Sequence, residues 1–282
     1  YQLKSRQLNH FDSKQTGLPH NTIYSIIHTK DNQIYIGTYN GLCRYVQASG
    51  KFENILLPVN RGGSNLFVNS LLEDTTRQCI WIGMEGYLFQ YNPTIGEMKA
   101  IEVFHNNSIK SLALDGDENL LAGTDNGLYV YQNDKEPLQH IIHDSRNIQS
   151  LTNNIIWNIF SDQEHNIWLG TDYGISLSRY NSALQFVPIS QITGTGDGNQ
   201  FYSLFRDSKG FYWFGGTNGV IRFTHPAGNK HDAIWYRMGD KNHPLSHNRI
   251  RHIYEDREQQ LWIATDGSIN RYDYNTHQFV HY

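Results

Sequence analysis

Ile34-Tyr35-Ile36-Gly37-Thr38-Tyr39-Asn40-Gly41-Leu42 reads as an aromatic-rich β run ending in Gly, then a polar turn containing Thr, then a Gly-Leu pair that opens a second β run. The same wording returns at Ile80-Trp81-Ile82-Gly83 with Gly86, at Leu121-Ala122-Gly123-Thr124-Asp125-Asn126-Gly127-Leu128, and at Ile167-Trp168-Leu169-Gly170-Thr171-Asp172-Tyr173-Gly174-Ile175. It comes back twice more, as Tyr212-Trp213-Phe214-Gly215 with Thr217-Asn218-Gly219-Val220 and as Leu261-Trp262-Ile263-Ala264-Thr265-Asp266-Gly267. The small residues Gly37, Gly83, Gly123, Gly170, Gly215 and Ala264 follow one another at steps of 40 to 49 residues. A repeat of that length made of short strands is a propeller blade. The expected fold class is all-β: a β-propeller of four-stranded antiparallel blades forming a single domain over 1–282. Six blade repeats fall at approximately 17–57, 63–103, 105–143, 151–189, 198–238 and 245–282.

Each repeat divides into four strands. The first ends in Asp in most copies, as in Val68 to Asp74 and Phe201 to Asp207, and the Asp reads as a hairpin turn in which its carboxylate accepts backbone N–H bonds while Gly or Asn takes the left-handed position. The second strand, apolar on nearly every residue, requires cover on both faces, as stacked blades provide. The third ends in Tyr or Phe, at Tyr45, Tyr91, Tyr131, Tyr180, Phe223 and Tyr272. The fourth is shorter and more polar, as suits a rim strand.

Composition agrees. Aromatics at 13% and 24 glycines suit many short strands and tight turns, and a net charge of −4 with scattered Lys and Arg gives no footprint for nucleic acid. No apolar run approaches the roughly 18 residues that cross a bilayer. Cys43 and Cys79 lie in successive repeats and are read as free buried thiols, with a disulfide between blades as the alternative. The 14 His residues show no metal-ligand spacing, and neither metal nor cofactor is expected.

Leu8 to Phe11 reads as a further fourth strand, although the last repeat already has its own in His277 to Tyr282. The expectation is that 1–12 supplies an N-terminal strand closing a larger, seven-bladed ring of which this chain is a fragment. A complete six-bladed ring is the alternative.

Gly17-Leu18-Pro19-His20-Asn21-x-Ile23, followed by a strand, a Trp-type strand, Gly-Thr-x-x-Gly-Leu and Arg-Tyr, resembles the two-component regulator propeller family. Similar wording at Leu151-Thr152-Asn153-Asn154-x-Ile156 and Leu245-Ser246-His247-Asn248-x-Ile250 extends the likeness over the chain. Gly83-Met84-Glu85-Gly86, Leu120-Leu121 without Trp, and Ala264 for Gly depart from it. The resemblance implies the periplasmic sensor region of a hybrid two-component system, part of an inner-membrane histidine kinase whose kinase portion is not in this chain. It further implies an oligosaccharide from a complex glycan as ligand. The partners it implies are a second propeller and the remaining domains of the same receptor, with a homodimer open and no direct membrane contact by this segment.

The loop into the first strand and the loop between the second and third strands share one face of a propeller. Thr38, Thr124, Thr171, Thr217 and Thr265 repeat there and are read as turn-satisfying residues. The second position of the first strand instead changes chemistry from blade to blade: Tyr24, Asn69, Lys110, Trp157, Tyr202 and Arg251. With Tyr39, Glu85, Asp172 and Tyr173 from the loops, these are the candidate ligand-binding residues. Sugar rings stack their C–H faces on aromatic rings while their hydroxyls need donors and acceptors; channel filling and water binding is the plain structural alternative.

A propeller glycosidase or polysaccharide lyase is the catalytic alternative. Glycosidases need two carboxylates about 5 to 10 Å apart, and Glu85, Asp125, Asp172 and Asp266 share the face, yet each Asp fills a repeated turn slot. No nucleophile motif is present, so no catalytic residue is assigned. A protein-docking propeller without small-molecule ligand is the remaining alternative, since both kinds of surface use Tyr, Trp and Arg.

Overall fold

The computed structural model describes residues 9–59, 66–101, 107–132, 135–180, 186–188, 190, 199–224, 232–242 and 244–282. Two compact units are distinguished, 1–112 and 113–282. The first contains a sheet of β1 (Ile23–His28), β2 (Ile34–Thr38), β3 (Gly41–Val46) and β4 (Lys51–Ile55), then a sheet of β5 (Val68–Asp74), β6 (Cys79–Met84), β7 (Leu88–Asn92) and β8 (Glu97–Ile101). The boundary between units falls inside β9 (Ile109–Leu114), whose sheet continues with β10 (Leu120–Thr124), β11 (Gly127–Gln132) and β12 (Lys135–Ile141). The fourth sheet holds β13 (Ile156–Ser161), β14 (Ile167–Thr171), β15 (Ile175–Ser178) and β16 (Phe186–Pro188). The fifth holds β17 (Phe201–Arg206), β18 (Tyr212–Gly216), β19 (Gly219–Phe223) and β20 (Ile234–Tyr236), and the sixth β21 (Ile250–Glu255), β22 (Leu261–Thr265), β23 (Ile269–Asp273) and β24 (Gln278–His281). Every sheet is an antiparallel meander in strand order, the blade of a β-propeller. The chain is all-β, with six such blades.

The hairpin after the first strand is tied by an Asp in five sheets and by Thr29 in the first. Asp207 accepts N–H bonds from Lys209 and Phe211 on Oδ1, and Asp162 and Asp256 do the same two and four residues on. The left-handed position is glycine only at Gly210 and asparagine only at Asn32; elsewhere it is Gln78, Glu118, His165 or Gln259. Left-handed backbone costs an L residue about 1 to 2 kcal/mol, and carboxylate bonds of this kind offset it, so the turn does not depend on Gly or Asn. The second carboxylate oxygen has another use. It accepts the indole N–H of the Trp six or seven residues on: Trp81 to Asp74, Trp168 to Asp162, Trp213 to Asp207 and Trp262 to Asp256, at 2.7 to 3.0 Å. Between the fourth and fifth sheets Tyr212 adds its hydroxyl to Asp162, and between the fifth and sixth Tyr274 adds its own to Asp207.

Sheets pack through the small residue of the second strand. A Cβ built on Gly37 would lie 2.7 Å from Val68 Cγ1, on Gly83 2.6 Å from Ile109 Cγ2, on Gly123 2.6 Å from Ile156 Cγ2, and on Gly215 2.4 Å from Ile250 Cγ2. Glycine is required at these positions by the next sheet's first residue. Clefts of about 360 and 380 Å³ open between neighbouring sheets at the Asp-turn end, the first lined by Tyr35 and Asp74, the second by Asp115, His165 and Tyr180.

Phe11 packs edge-on against Tyr45 and Phe52, and residues 9–12 form no strand; residues 1–8 of the expected N-terminal strand lie outside the described residues. The third strand of the fourth sheet stops at Ser178, short of Tyr180. The Tyr180 N–H instead donates to the Asn166 side chain, which takes it out of the ladder. Cys43 and Cys79 are buried and free, and burial pushes the Cys43 thiol up to about 12.

Candidate functional site

In five sheets the pairing of the first strand with the second slips at one place: between Ile23 and Ser25, Val68 and Ser70, Ile156 and Asn158, Phe201 and Ser203, and Ile250 and His252. The skipped residues are Tyr24, Asn69, Trp157, Tyr202 and Arg251. A β-bulge leaves its extra residue outside the ladder and re-aims its side chain, so the variable position of the repeat is the one released from pairing. Lys110, the corresponding residue of β9, is half-buried.

In the second unit the bulged residues meet. Trp157 and Tyr202 stand edge to face with ring centres 5.3 Å apart. The Trp157 indole donates to Asp172 Oδ1 at 3.0 Å, and Gln200 Nε2 donates to the same oxygen at 2.6 Å. Tyr202 donates its hydroxyl proton to Gln200 Oε1, and Arg249 Nη2 donates to the Tyr202 oxygen at 3.3 Å. Arg249 Nε is buried without a hydrogen-bond partner among the described residues. Asp172, Gln200, Tyr202, Arg249 and Trp157 are all half-buried, so water reaches part of each. Beside them Arg251 pairs with Asp266 through Nε and Nη2. That hydrogen bond holds the Asp266 carboxyl below its ordinary range, with the charges of Arg251, Arg249 and His247 acting in the same direction. Tyr173, next to Asp172 in the turn, is 58% exposed.

In the first unit Tyr39 lies edge-on to Phe67 at 4.6 Å and against His20 at 4.8 Å, while Tyr24, 45% exposed, is 6.3 Å from Phe67. Asn69 gives its amide to Ser108 Oγ and the Ile109 carbonyl. Glu85 is exposed and bridges Ser108 through the backbone.

Of the ten candidates, then, Trp157, Asp172 and Tyr202 form one network, Arg251 flanks it, and Tyr24 and Tyr39 flank Phe67. Three participants escaped the sequence reading: Phe67, Gln200 and Arg249. All occupy the residue immediately before the first strand, held elsewhere by Thr22, Ser108 and Ile155. Each reaches across to the preceding sheet. Variation at that fixed place in the repeat was the available signal.

The turn threonines behave as expected with one exception. Thr38, Thr124, Thr171 and Thr265 each donate to the carbonyl three residues on. Thr217 does not. Gly216 pairs with Phe201 as Thr171 pairs with Ile156, which places Thr217 one position later, beside Tyr39, Asp172 and Asp266 in the repeat, with its hydroxyl on Asn199. Among the described residues no group of three or more His, Cys, Asp or Glu is placed to hold a metal ion, and no helix is long and apolar enough to cross a membrane.

Repeated four-stranded antiparallel blades define the class as a β-propeller. The sequence model of the two-component regulator propeller family matches residues 17–40, 150–173, 195–218 and 244–267 of the chain. The chain is 82% identical to the extracellular domain of the putative hybrid two component system BT4673 from B. thetaiotaomicron, with a TM-score of 0.63. The match covers 100% of this chain and 38% of that one, so the chain spans well under half the length of that structure. Virginiamycin B lyase from Staphylococcus aureus is 13% identical over 93% of this chain and 84% of its own, with a TM-score of 0.67. The WD40 propeller of Doa1 is 12% identical over 92% and 81%, with a TM-score of 0.64. These two likenesses concern the fold alone. No curated protein matches the chain.

Proposed function

We propose that this chain is part of the extracytoplasmic sensor of a hybrid two-component system, and that it binds oligosaccharide through the mouth of its second unit without catalysing a reaction on it. The likeness to an extracellular domain of such a system supports the sensor role. The observation that carries the ligand reading is the joining of two bulged aromatic residues, Trp157 and Tyr202, to a carboxylate, an amide and a guanidinium within one half-buried network. Aromatic faces take the apolar side of a sugar ring, and the polar groups take its hydroxyls. Such a ligand signals by favouring one arrangement of the receptor over another, which shifts the population toward a kinase outside this chain.

The test is a glycan array followed by calorimetry. Trp157→Ala and Tyr202→Ala should each weaken binding of an array hit by about tenfold or more, the scale of a lost stacking contact with its hydrogen bond, while the far-UV spectrum is unchanged. Unchanged affinity in both variants removes the site. Product formation from labelled glycan would transfer the site to the lyase or glycosidase reading.

A further inference from the structure

Gln200 sits before β17, and its side chain crosses from the fifth sheet to the fourth. Its two ends are used in opposite senses: Nε2 donates to Asp172 Oδ1 at 2.6 Å, and Oε1 accepts the proton of Tyr202. A Gln or Asn amide offers a donor and an acceptor on one planar group without titrating, and of the residues at this place in the six repeats only Gln200 is an amide.

The proton count around it is closed. Tyr202 has a single hydroxyl proton, which lies on Gln200, and its oxygen accepts from Arg249. Asp172 Oδ1 receives two neutral donors, Trp157 and Gln200, while among the described residues Oδ2 receives none. Among the described residues Arg249 Nε has no partner, and the neighbouring carboxylate of Asp266 is engaged by Arg251.

We infer that Gln200 is the positioning residue that fixes the hydrogen-bond polarity of this mouth, an inference that rests on the ligand reading above. By holding Oδ1 of Asp172 it leaves Oδ2 as the acceptor offered to a ligand. By taking the Tyr202 proton it removes that hydroxyl as a donor and leaves Arg249 to donate. The groups this arrangement recognises are ligand hydroxyls that give a proton to Asp172 and accept one from Arg249. A ligand group able only to accept is refused at Asp172.

The network can be tested without any saccharide, by following the indole N–H signal of Trp157 in ¹⁵N-labelled protein through a pH titration. Gln200→Glu sets a second carboxylate at hydrogen-bond distance from Asp172, and two carboxyls so placed share a proton. The Trp157 signal should gain one pH-dependent step relative to wild type, and that step should vanish in Gln200→Glu/Asp172→Asn. A titration superimposable on wild type would overturn the assignment. In Gln200→Ala, which introduces no charge, exchange of the Trp157 indole proton should accelerate by about tenfold through loss of the bond that steadies Asp172, and unaltered exchange would also overturn it. If no glycan binds wild-type protein while these shifts occur, the ligand reading fails and the positioning role of Gln200 stands. If glycans bind and the shifts are missing, the reverse holds.

Discussion

Replacing Asp207 by Asn should destabilise the second unit more than the same change at Asp256, although the two residues hold the same place in successive repeats. Asp207 is 2% exposed and accepts four hydrogen bonds, from the N–H groups of Lys209 and Phe211 on Oδ1 and from Trp213 Nε1 and the Tyr274 hydroxyl on Oδ2, the last two at 2.7 Å. An amide has one acceptor atom. If that atom keeps the turn, the NH₂ group faces two buried donors; the Tyr274 hydroxyl can rotate and accept, but the indole of Trp213, itself fully buried, cannot. One orphaned buried donor costs about 2 kcal/mol, and converting two or more charge-assisted bonds to neutral ones costs about 1 each, so the change amounts to about 4 kcal/mol. Among the described residues Asp256 receives only Trp262 on its second oxygen, and Trp262 is half-buried, so water can replace that acceptor; the two turn bonds on Oδ1 become neutral as they do at Asp207, and the cost is about 2 kcal/mol. Thermal unfolding followed by tryptophan fluorescence should show Asp207→Asn melting about 10 °C lower and Asp256→Asn only about 5 °C lower than wild type. Adding Trp213→Phe to Asp207→Asn removes the orphan, so the double variant should be less destabilised than the two single changes summed. Equal melting losses at Asp207 and Asp256, or strict additivity, would show that the buried indole-to-carboxylate bond does not carry the difference.

Two further outcomes follow from the packing and electrostatics. Gly215→Ala should lower stability to urea by about 1 to 3 kcal/mol through overpacking against Ile250, whereas Ala264→Gly should cost only about 0.5 to 1 kcal/mol of strand entropy; similar midpoints for the two would contradict the close-approach argument. Burial works to raise the Asp74 carboxyl, but hydrogen bonds from the Trp81 indole and from Arg77 outweigh it and hold the group below its ordinary value. A carboxyl depressed on folding lends stability that is complete above the unfolded value of about 3.9 and is lost as pH falls through the lower folded value. The melting difference between wild type and Asp74→Asn should therefore be constant above about pH 5 and narrow as pH falls below about 4, and a difference that widened in acid would reverse the sign of the argument.

The period of the sequence placed all six sheets because a blade's second strand must be apolar on both faces and end in a residue small enough for the next sheet, and Gly215 against Ile250 is that constraint in atoms. The Asp and the Trp were each visible as repeated residues, yet their bond was not read, because it joins facing ends of two strands six or seven residues apart rather than neighbours in a pattern. Thr217 was misplaced for a local reason. Gly215 and Gly216 stand side by side, so matching on Gly-Thr slides the turn by one residue, and only the pairing of Phe201 with Gly216 restores the register. Variation from blade to blade drew attention to Trp157 and Tyr202, which the structure joins in one network, and the same variation two residues earlier would have drawn it to Gln200 and Arg249. Those places precede the strand and carry no alternation that flags them, so their reach across to the preceding sheet depends on the packing of two sheets, which no local pattern encodes.

Why the site is uneven around the repeats follows from which side chains the frame already uses. The third residue of the first strand bridges to the next sheet: Ser25 donates to the Val68 carbonyl, Asn158 accepts from the Leu204 N–H, and Ser203 accepts from the Ile253 N–H. With those bonds, and with Tyr212 on Asp162 and Tyr274 on Asp207 joining neighbouring sheets, the bulged residue before them carries no obligatory structural duty and its side chain is left to vary. Asn69 is the counter-example, since its amide is committed to Ser108 and Ile109 and it has correspondingly little left to offer a ligand. Trp157 and Tyr202 differ in that their hydrogen bonds run to Asp172 and Gln200, loop residues that themselves vary from repeat to repeat. On the proposed ligand reading, a change of ligand requires only exchanges among bulged and loop residues, while the glycines, the Asp–Trp bonds and the strand register that position them stay fixed.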